Sequence, residues 1–476
     1  MRTPDGAGAS TERMKKMAQT TAASPQQNKM GVMPIGKLLL SMGLPMVLSM
    51  LVQALYNIVD SVFVAKVSEA ALTSVSMAFP IQNFMIASVS GMGVGVNALL
   101  SRSLGEGNTE EANRAANNGI FLSFMTMIIF ILFGIFGSRA FFAFQTSNEA
   151  IIKMGATYVR ICCIGSFGCF GQIIFERLLQ ATGQAHLSMI TQMAGAIINI
   201  ILDPIMIFGL LGCPEMGIAG AALATVIGQI VACVTGLLLN IFHNKALTIS
   251  LRYRPNGRII GEIYRVGIPS IAMQSIGSIM NMAMNMILMG FTSTATAVFG
   301  VYYKLQSFAI MPVIGLSNAM IPIVAFNYGA RKKKRITDAV KISMIAAQIF
   351  LVIVAAVFLI APGALLKIFS ASDNMLSMGI PALRTMGLTF FVCGICICAG
   401  SVFQALGNAV YSLIVSVMRQ LVVLIPVAWL MSLTGNLELV WLSFPFAEVM
   451  SLVVSLFFLR RIFKKKISPL SEASAE

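Results

Sequence analysis

The chain has 476 residues, 57% of them hydrophobic and only 11% charged, with a formal net charge of +15 and a mean hydropathy of +0.85. Soluble domains are about 45–50% apolar and about 25% charged. So few charges cannot cover so much apolar surface, which excludes the three soluble domains that about 150 residues apiece would suggest. The chain reads as an all-α, polytopic membrane protein.

A spanning helix needs about 20 predominantly apolar residues. Taken in chain order, twelve stretches qualify, near residues 35–64, 71–101, 116–143, 153–181, 187–210, 217–242, 262–289, 294–327, 338–363, 377–406, 409–434 and 438–461. Residues 1–34 are polar and read as a disordered cytoplasmic tail. The first apolar run is too long and too far in for a cleavable signal peptide. Residues 35–243 form a first lobe of six spans, 244–261 a polar connector, 262–462 a second lobe and 463–476 a second cytoplasmic tail.

Lys and Arg are enriched in cytoplasmic loops. Of the 33 basic residues, 24 fall on one side if both termini are cytoplasmic, which predicts a multi-pass protein of the cell inner (plasma) membrane. The run Arg331-Lys332-Lys333-Lys334-Arg335 then anchors a loop against anionic lipid, and no nucleic-acid partner is called for. Cys393-x-x-Cys396-x-Cys398 has metal-like spacing, but no second cluster or nearby His accompanies it, so these cysteines read as small packing residues. His186 and His243 read as loop residues.

The sequence repeats itself. Gly43/Pro45 returns as Gly267/Pro269, Gln82/Phe84 as Gln306/Phe308, Gly105 as Gly329, Arg160 as Arg384, and Gln180–Ala185 as Gln404–Ala409, always 224 residues on. Six spans per repeat is an even number. The two lobes are therefore parallel, related by an axis along the membrane normal, with a substrate site expected between or within them.

Function should break this symmetry. Adding 224 takes Asp60 to Met284, Glu176 to Gly400, Asn199 to Val423 and Asp203 to Val427; subtracting it takes Lys304 to Pro80 and Arg419 to Gly195. Intramembrane acids thus gather in the first lobe, with Glu448 the exception. A carboxylate at a helix centre costs roughly 2.5–3.5 kcal/mol on insertion scales and needs a partner, a proton or a cation. Asp60 shares a helix face with Tyr56, Asn57 and Gln53; Asp203 has Asn199 one turn back, and Pro204 frees a carbonyl in that turn. These are the hard oxygen donors a small cation takes, and a proton would serve as well. The alternatives are interhelical hydrogen bonding at Asp60 and Asp203, and neutralisation of Glu176 by adjacent Arg177. Lys304 and Arg419 either line an anion path or pair within the helix packing. The Met-rich run Ile279–Met286, with Met284 in it, suits promiscuous apolar binding or ordinary packing.

The stretches Asn57–Val64, Gly91–Ala98, Gly105–Asn108, Glu176–Gly183 and Asn199–Pro204 resemble the multidrug and toxic compound extrusion (MATE) family, its DinF-like branch and MepA-like subgroup in particular. The resemblance covers about residues 33–465. It implies a cation-driven antiporter with two six-helix lobes in a V, exporting organic, often cationic and amphipathic compounds. It also implies a coupling site in the first lobe, at Tyr56, Asp60, Asn199, Asp203 and Thr225, taking Na⁺ or H⁺. The other major branch carries acids on its seventh and tenth helices, where this chain has none beyond Glu262 at the seventh's edge.

The expected function is therefore secondary active multidrug efflux by a monomer that is no enzyme and needs no cofactor. Asp60, Asp203, Asn199, Tyr56, Asn57 and Thr225 would couple the cation, and Gln53, Gln82, Asn83, Glu176, Gln180, Met284, Lys304 and Arg419 would line the substrate pathway. The alternative is a lipid-linked oligosaccharide or metabolite flippase of related architecture, in which Lys304 and Arg419 would hold pyrophosphate. A receptor or channel fits buried paired acids less well. No Gly-x-x-x-x-Gly-Lys-Ser/Thr loop occurs, which disfavours direct ATP coupling.

Overall fold

A computed structural model describes residues 28–470, apart from 251 and 370. Its long helices are α1 (Ile35–Val67), α2 (Glu69–Gly105), α3 (Thr109–Phe136), α4 (Glu149–Ile164 continued by Ser166–Ala181), α5 (Ala185–Phe208) and α6 (Ile218–Phe242). Then come α7 (Gly257–Met289), α8 (Ser293–Gly329), α9 (Lys333–Ile360), α10 (Asp373–Gly387 continued by Phe390–Ala405), α11 and α12. Helix α11 runs from Ala409–Val417 through a π-helical turn, Met418–Leu424, into Ile425–Ser432; α12 comprises Leu437–Trp441 and Ser443–Ile462. Among the described residues, ten helices are long and apolar enough to cross a membrane alone, and the two halves of α4 and of α10, bent by 46° and 49°, bring the spans to twelve. No strand occurs among them.

Helix ends follow capping rather than hydropathy. Ser68 accepts from the Ala71 N–H and Thr292 from the Ala295 N–H. Asn148 accepts from Ala150 and Ile151, and Ser372 from Met375. Each pair of caps is 224 residues apart. The expected third span, 116–143, is corrected at both ends. Asn108 caps the Glu111 N–H and starts α3 seven residues earlier, and the chain breaks at Gly137 into a separate short helix, Ser138–Gln145. A short helix, Pro362–Lys367, sits at the equivalent place after α9.

The expected tail 1–34 is corrected at its end as well. Lys29–Val32 is a short helix, and its carbonyls are held by donors from the second half. Arg335 donates to the carbonyls of Met30 (3.0 Å) and Met33 (2.7 Å), Asn327 Nδ2 to Met30 (3.0 Å), and Lys332 Nζ to Gly31 (2.8 Å). Buried carbonyls need donors, so part of the basic run serves the protein rather than lipid. Residues 1–27 lie outside the described residues.

Helix α1 packs on α8, and α2 on both α7 and α8. These contacts are reciprocal. A Cβ on Gly91 would lie 2.8 Å from the Ile271 backbone nitrogen, and one on Gly315 2.8 Å from that of Val47. Gly43 faces Leu316 (3.2 Å) as Gly267 faces Met92 (3.2 Å). At the basic end Gly105 abuts the Phe326 carbonyl and Gly329 the Arg102 carbonyl. In every pair the partners exchange under the 224-residue offset, which places the pseudo-twofold axis in this seam. The two six-helix lobes thus meet backbone to backbone.

Candidate functional site

The polar centre of the first lobe is assembled by α1, α5 and α6. Gly195 on α5 and Gly228 on α6 let those helices touch: a Cβ on Gly195 would be 2.9 Å from the Gly228 carbonyl oxygen, and one on Gly228 2.8 Å from that of Gly195. That approach brings Thr225 beside Asn199. The Asn199 amide nitrogen lies 3.3 Å from Asp203 Oδ1 and 3.4 Å from Thr225 Oγ1. Turned over, the amide satisfies both ends better, donating to Asp203 Oδ2 and accepting from the Thr225 backbone N–H, each at 3.1 Å. Asp203, Asn199 and Thr225 are all buried, Asp203 completely.

Asp60 on α1 is half-buried, yet its Oδ1 is shut from solvent and has no hydrogen-bond partner. It lies within electrostatic range of Asp203, and the Tyr56 phenol lies within that range of both carboxylates. Pro204 interrupts the ladder of α5 beside Asp203, so the Ile200 carbonyl loses its usual donor. Two carboxylates, an amide oxygen, a hydroxyl and that carbonyl belong to one neighbourhood. Asn57 is exposed. Among the described residues no three His, Cys, Asp or Glu side chains converge as for a metal.

Further polar residues frame this centre. Gln53 accepts from Gln192 Nε2 (3.2 Å), and Gln82 Nε2 donates to the hydroxyl of buried Tyr158 (3.1 Å). Asn83 reaches Ser278 of the second lobe (3.3 Å). Glu176 and Arg177, neighbours in sequence, do not pair. Glu176 accepts from Gln172 (3.0 Å), while Arg177 turns to Ser90 (3.3 Å), Gln180 (3.1 Å) and Asn318 (3.5 Å). Gln180 in turn donates to Ser188 (2.9 Å).

In the second lobe, Arg419 sits in the π-helical turn of α11 and pairs with buried Glu448 (3.3 Å). Lys304 is exposed. Met284 is fully buried in the hydrophobic core, and its neighbours Met282, Met286 and Met289 are the exposed ones. The helical period puts positions 282, 286 and 289 on one face and turns 284 inward, which corrects the expectation that Met284 lines a pathway. Cys393 and Cys398 lie in the same core, and all eight cysteines are free thiols.

Tyr158, Gln192 and Gln172 were not singled out by the sequence, although the same subtraction finds them. Their counterparts at +224 are Ala382, Ser416 and Cys396.

Twelve spans in two repeated lobes, with an unpartnered carboxylate inside one of them, define an integral membrane transporter. The chain belongs to the MatE family, whose model matches it twice, over residues 45–205 and 269–430, the two matches starting 224 residues apart. It is 25% identical over 435 residues to the FAD transporter of Shewanella oneidensis, covering 90% of this chain and 95% of that one. It is 24% identical over 412 residues to the multidrug export protein MepA of Staphylococcus aureus, covering 86% and 90%. A solved structure described as the outward-facing conformation of a multidrug resistance MATE family transporter superposes with a TM-score of 0.87 over 94% of this chain and 98% of that one, at 24% identity. A MATE structure in a bent conformation gives 0.86 at 25% identity, covering 95% and 100%. The chain is thus a MATE-family transporter of multi-pass membrane type, as the motifs implied.

Proposed function

We propose that the chain is a cation-coupled antiporter that exports organic, often cationic and amphipathic compounds, driven by inward Na⁺ or H⁺ at the first-lobe carboxylates. The observation that carries this reading is the buried Asp60 Oδ1 without a partner, within electrostatic range of Asp203 inside a membrane helix bundle. An orphaned carboxylate oxygen there needs a positive charge or a proton. When the ion binds, the pair loses one unit of negative charge and its hold on a cationic substrate weakens. When the ion leaves, that hold returns. Differential affinity of this kind is what a coupled exchange requires. Asn199 and Thr225 position Asp203, and Tyr56 bounds the site from α1. Gln53, Gln82, Asn83, Glu176, Gln180, Lys304 and Arg419 are the pathway residues in this reading. In this reading the protein works as a monomer in contact with membrane lipid, with both termini cytoplasmic, which the basic loops support. The family and the acidic first-lobe centre favour this over a lipid-linked oligosaccharide flippase, which would want unpaired bases; Arg419 is already paired with Glu448.

Everted vesicles with imposed Na⁺ or pH gradients test the proposal, with ethidium as a cationic probe and FAD as an anionic one. Gradient-driven uptake of the cation is expected. Asp60→Asn and Asp203→Asn should each abolish it while membrane expression persists. Wild-type uptake by both variants would overturn the coupling site. FAD uptake without cation uptake would overturn the substrate class.

A further inference from the structure

The repeat carries three pairs of left-handed residues, one of each pair in either lobe. In the first lobe they are Gly107 (φ +76°), Gly183 (φ +86°) and Leu211 (φ +56°), and in the second Arg331 (φ +56°), Gly407 (φ +74°) and Gly435 (φ +74°). The hydrogen bonds at the ends of α2 and α8 are copies of each other. Asn108 N–H donates to the Ser103 carbonyl and Lys332 N–H to that of Asn327, both at 2.9 Å; Gly107 N–H donates to Leu104 (3.2 Å) and Arg331 N–H to Tyr328 (3.1 Å). Glycine takes this conformation at little steric cost, whereas an arginine is strained by it. Two of the six positions nevertheless hold a side chain, Leu211 and Arg331, and of these only the arginine is charged.

That arginine lines a cavity of about 440 Å³ at the basic end of the seam, together with Arg102, Glu106, Tyr328, Lys465 and Lys466. Four bases face one acid. Arg102 is occupied by Glu106 (2.8 Å), and Lys466 Nζ donates to the Leu406 carbonyl (2.6 Å). Both cations also lie over the Tyr328 ring, at 5.7 Å and 5.9 Å from its centroid. Among the described residues, neither the Arg331 nor the Lys465 side chain, both exposed, has a hydrogen bond or ion pair. The walls come from α2 of the first lobe, α8 of the second and the segment after α12, so whatever binds here touches both lobes at once.

From the strained arginine and the uncompensated charge around it we infer that this cavity is a binding site for a phosphate-type anion. The source is either the headgroup of an anionic phospholipid or a free phosphate. A guanidinium and an ammonium from different elements of one lining suit the oxygens of a phosphate group, and basic pockets between membrane helices take anionic headgroups. A bound anion would fasten α2, α8 and the C-terminal segment together and hold the seam closed at this end.

The test uses the full chain purified in detergent, with thermal unfolding followed while phosphatidylglycerol, phosphatidylcholine or inorganic phosphate is added at fixed ionic strength. A saturable rise in Tm is expected with phosphatidylglycerol and not with phosphatidylcholine. A rise with inorganic phosphate as well assigns the free ion as a sufficient ligand. Arg331→Gly and Lys465→Gln should each weaken the response about fivefold, and Lys245→Gln, on an exposed loop outside the cavity, should leave it unchanged. Arg331→Gly gives this turn the glycine of its counterpart Gly107, so its Tm without ligand should equal or exceed the wild-type value. Native mass spectrometry should show the retained lipid on wild-type protein and its loss on Arg331→Gly. Absence of any Tm rise, or an equal rise in all three variants, would overturn the site.

Discussion

The seam between the lobes predicts what a single methyl group does. At Gly105 an added Cβ runs into the Phe326 carbonyl oxygen and lies 2.8 Å from its carbon and 3.1 Å from the Ala330 nitrogen. Every obstacle is backbone, so no side chain can swing aside. Gly105→Ala must therefore part α2 from α8 at the basic end, as must Gly329→Ala, whose Cβ meets the Arg102 carbonyl and the Glu106 nitrogen (3.0 Å). Overpacking of this kind costs about 1–3 kcal/mol, which shifts an equilibrium between seam-closed and seam-open forms by roughly 5–150-fold. Gly300→Ala is the control, since nothing lies within 4 Å of that position, and in a helix it should be neutral or stabilising by up to about 1 kcal/mol. Spin labels at Thr109→Cys and Lys334→Cys, both exposed at the basic end, report the separation by double electron–electron resonance in a variant stripped of native cysteines. Longer distances are expected for Gly105→Ala and Gly329→Ala and unchanged ones for Gly300→Ala. Wild-type distances together with wild-type thermal stability in both seam variants would refute the reasoning.

Other consequences are equally open to measurement. Gly228→Ala should separate α5 from α6, cost about 1–3 kcal/mol and impair ion-driven uptake although no charged group is touched; unimpaired uptake would show that the Asn199–Thr225 contact is dispensable. Glu448→Gln leaves Arg419 without its buried partner and should destabilise by about 3–5 kcal/mol, whereas Arg419→Met with Glu448→Met should recover most of that loss in thermal unfolding. Equal loss in the single and double variants would mean that the ion pair itself, rather than the stranded charge, holds the fold. Arg335→Ala removes the donors to Met30 and Met33, with an expected cost of about 1–3 kcal/mol and faster hydrogen exchange over residues 29–34; unchanged exchange there would count against that anchor.

The spans were legible because lipid leaves a helix only one way to satisfy its backbone, so apolar runs of sufficient length declare themselves. Their ends were not. Asn108 draws α3 beyond the apolar run through a hydrogen bond that hydropathy does not register, and Gly137 cuts off residues that look continuous with it. The repeat was legible because its landmarks keep one register, and the paired caps and exchanged seam contacts follow that register in space. Asp60 and Asp203 stood out as charges without counterparts. Tyr158 and Gln192 lack counterparts too, but a neutral polar residue in a membrane helix draws less notice than a carboxylate. Met284 shows the opposite error. Composition singled out a methionine-rich run, and only its helical phase decides which methionines face outward. The anchoring of Lys29–Val32 was invisible because its donors lie about 300 residues away along the chain.

The reciprocal seam has the form of an isologous interface, in which the same patch serves both partners and each contact occurs twice. Two separate copies of a six-helix chain could have met through it, and every residue would then have had to suit both of its surroundings. Joining the copies through residues 243–256 lifts that requirement. One lobe is free to hold Asp60 where the other packs Met284, and one turn can carry Arg331 where its twin keeps Gly107, while the glycines along the shared line stay bound to each other's needs. Covalent linkage gives this protein an asymmetric division of labour that a homodimer of either half could not have encoded.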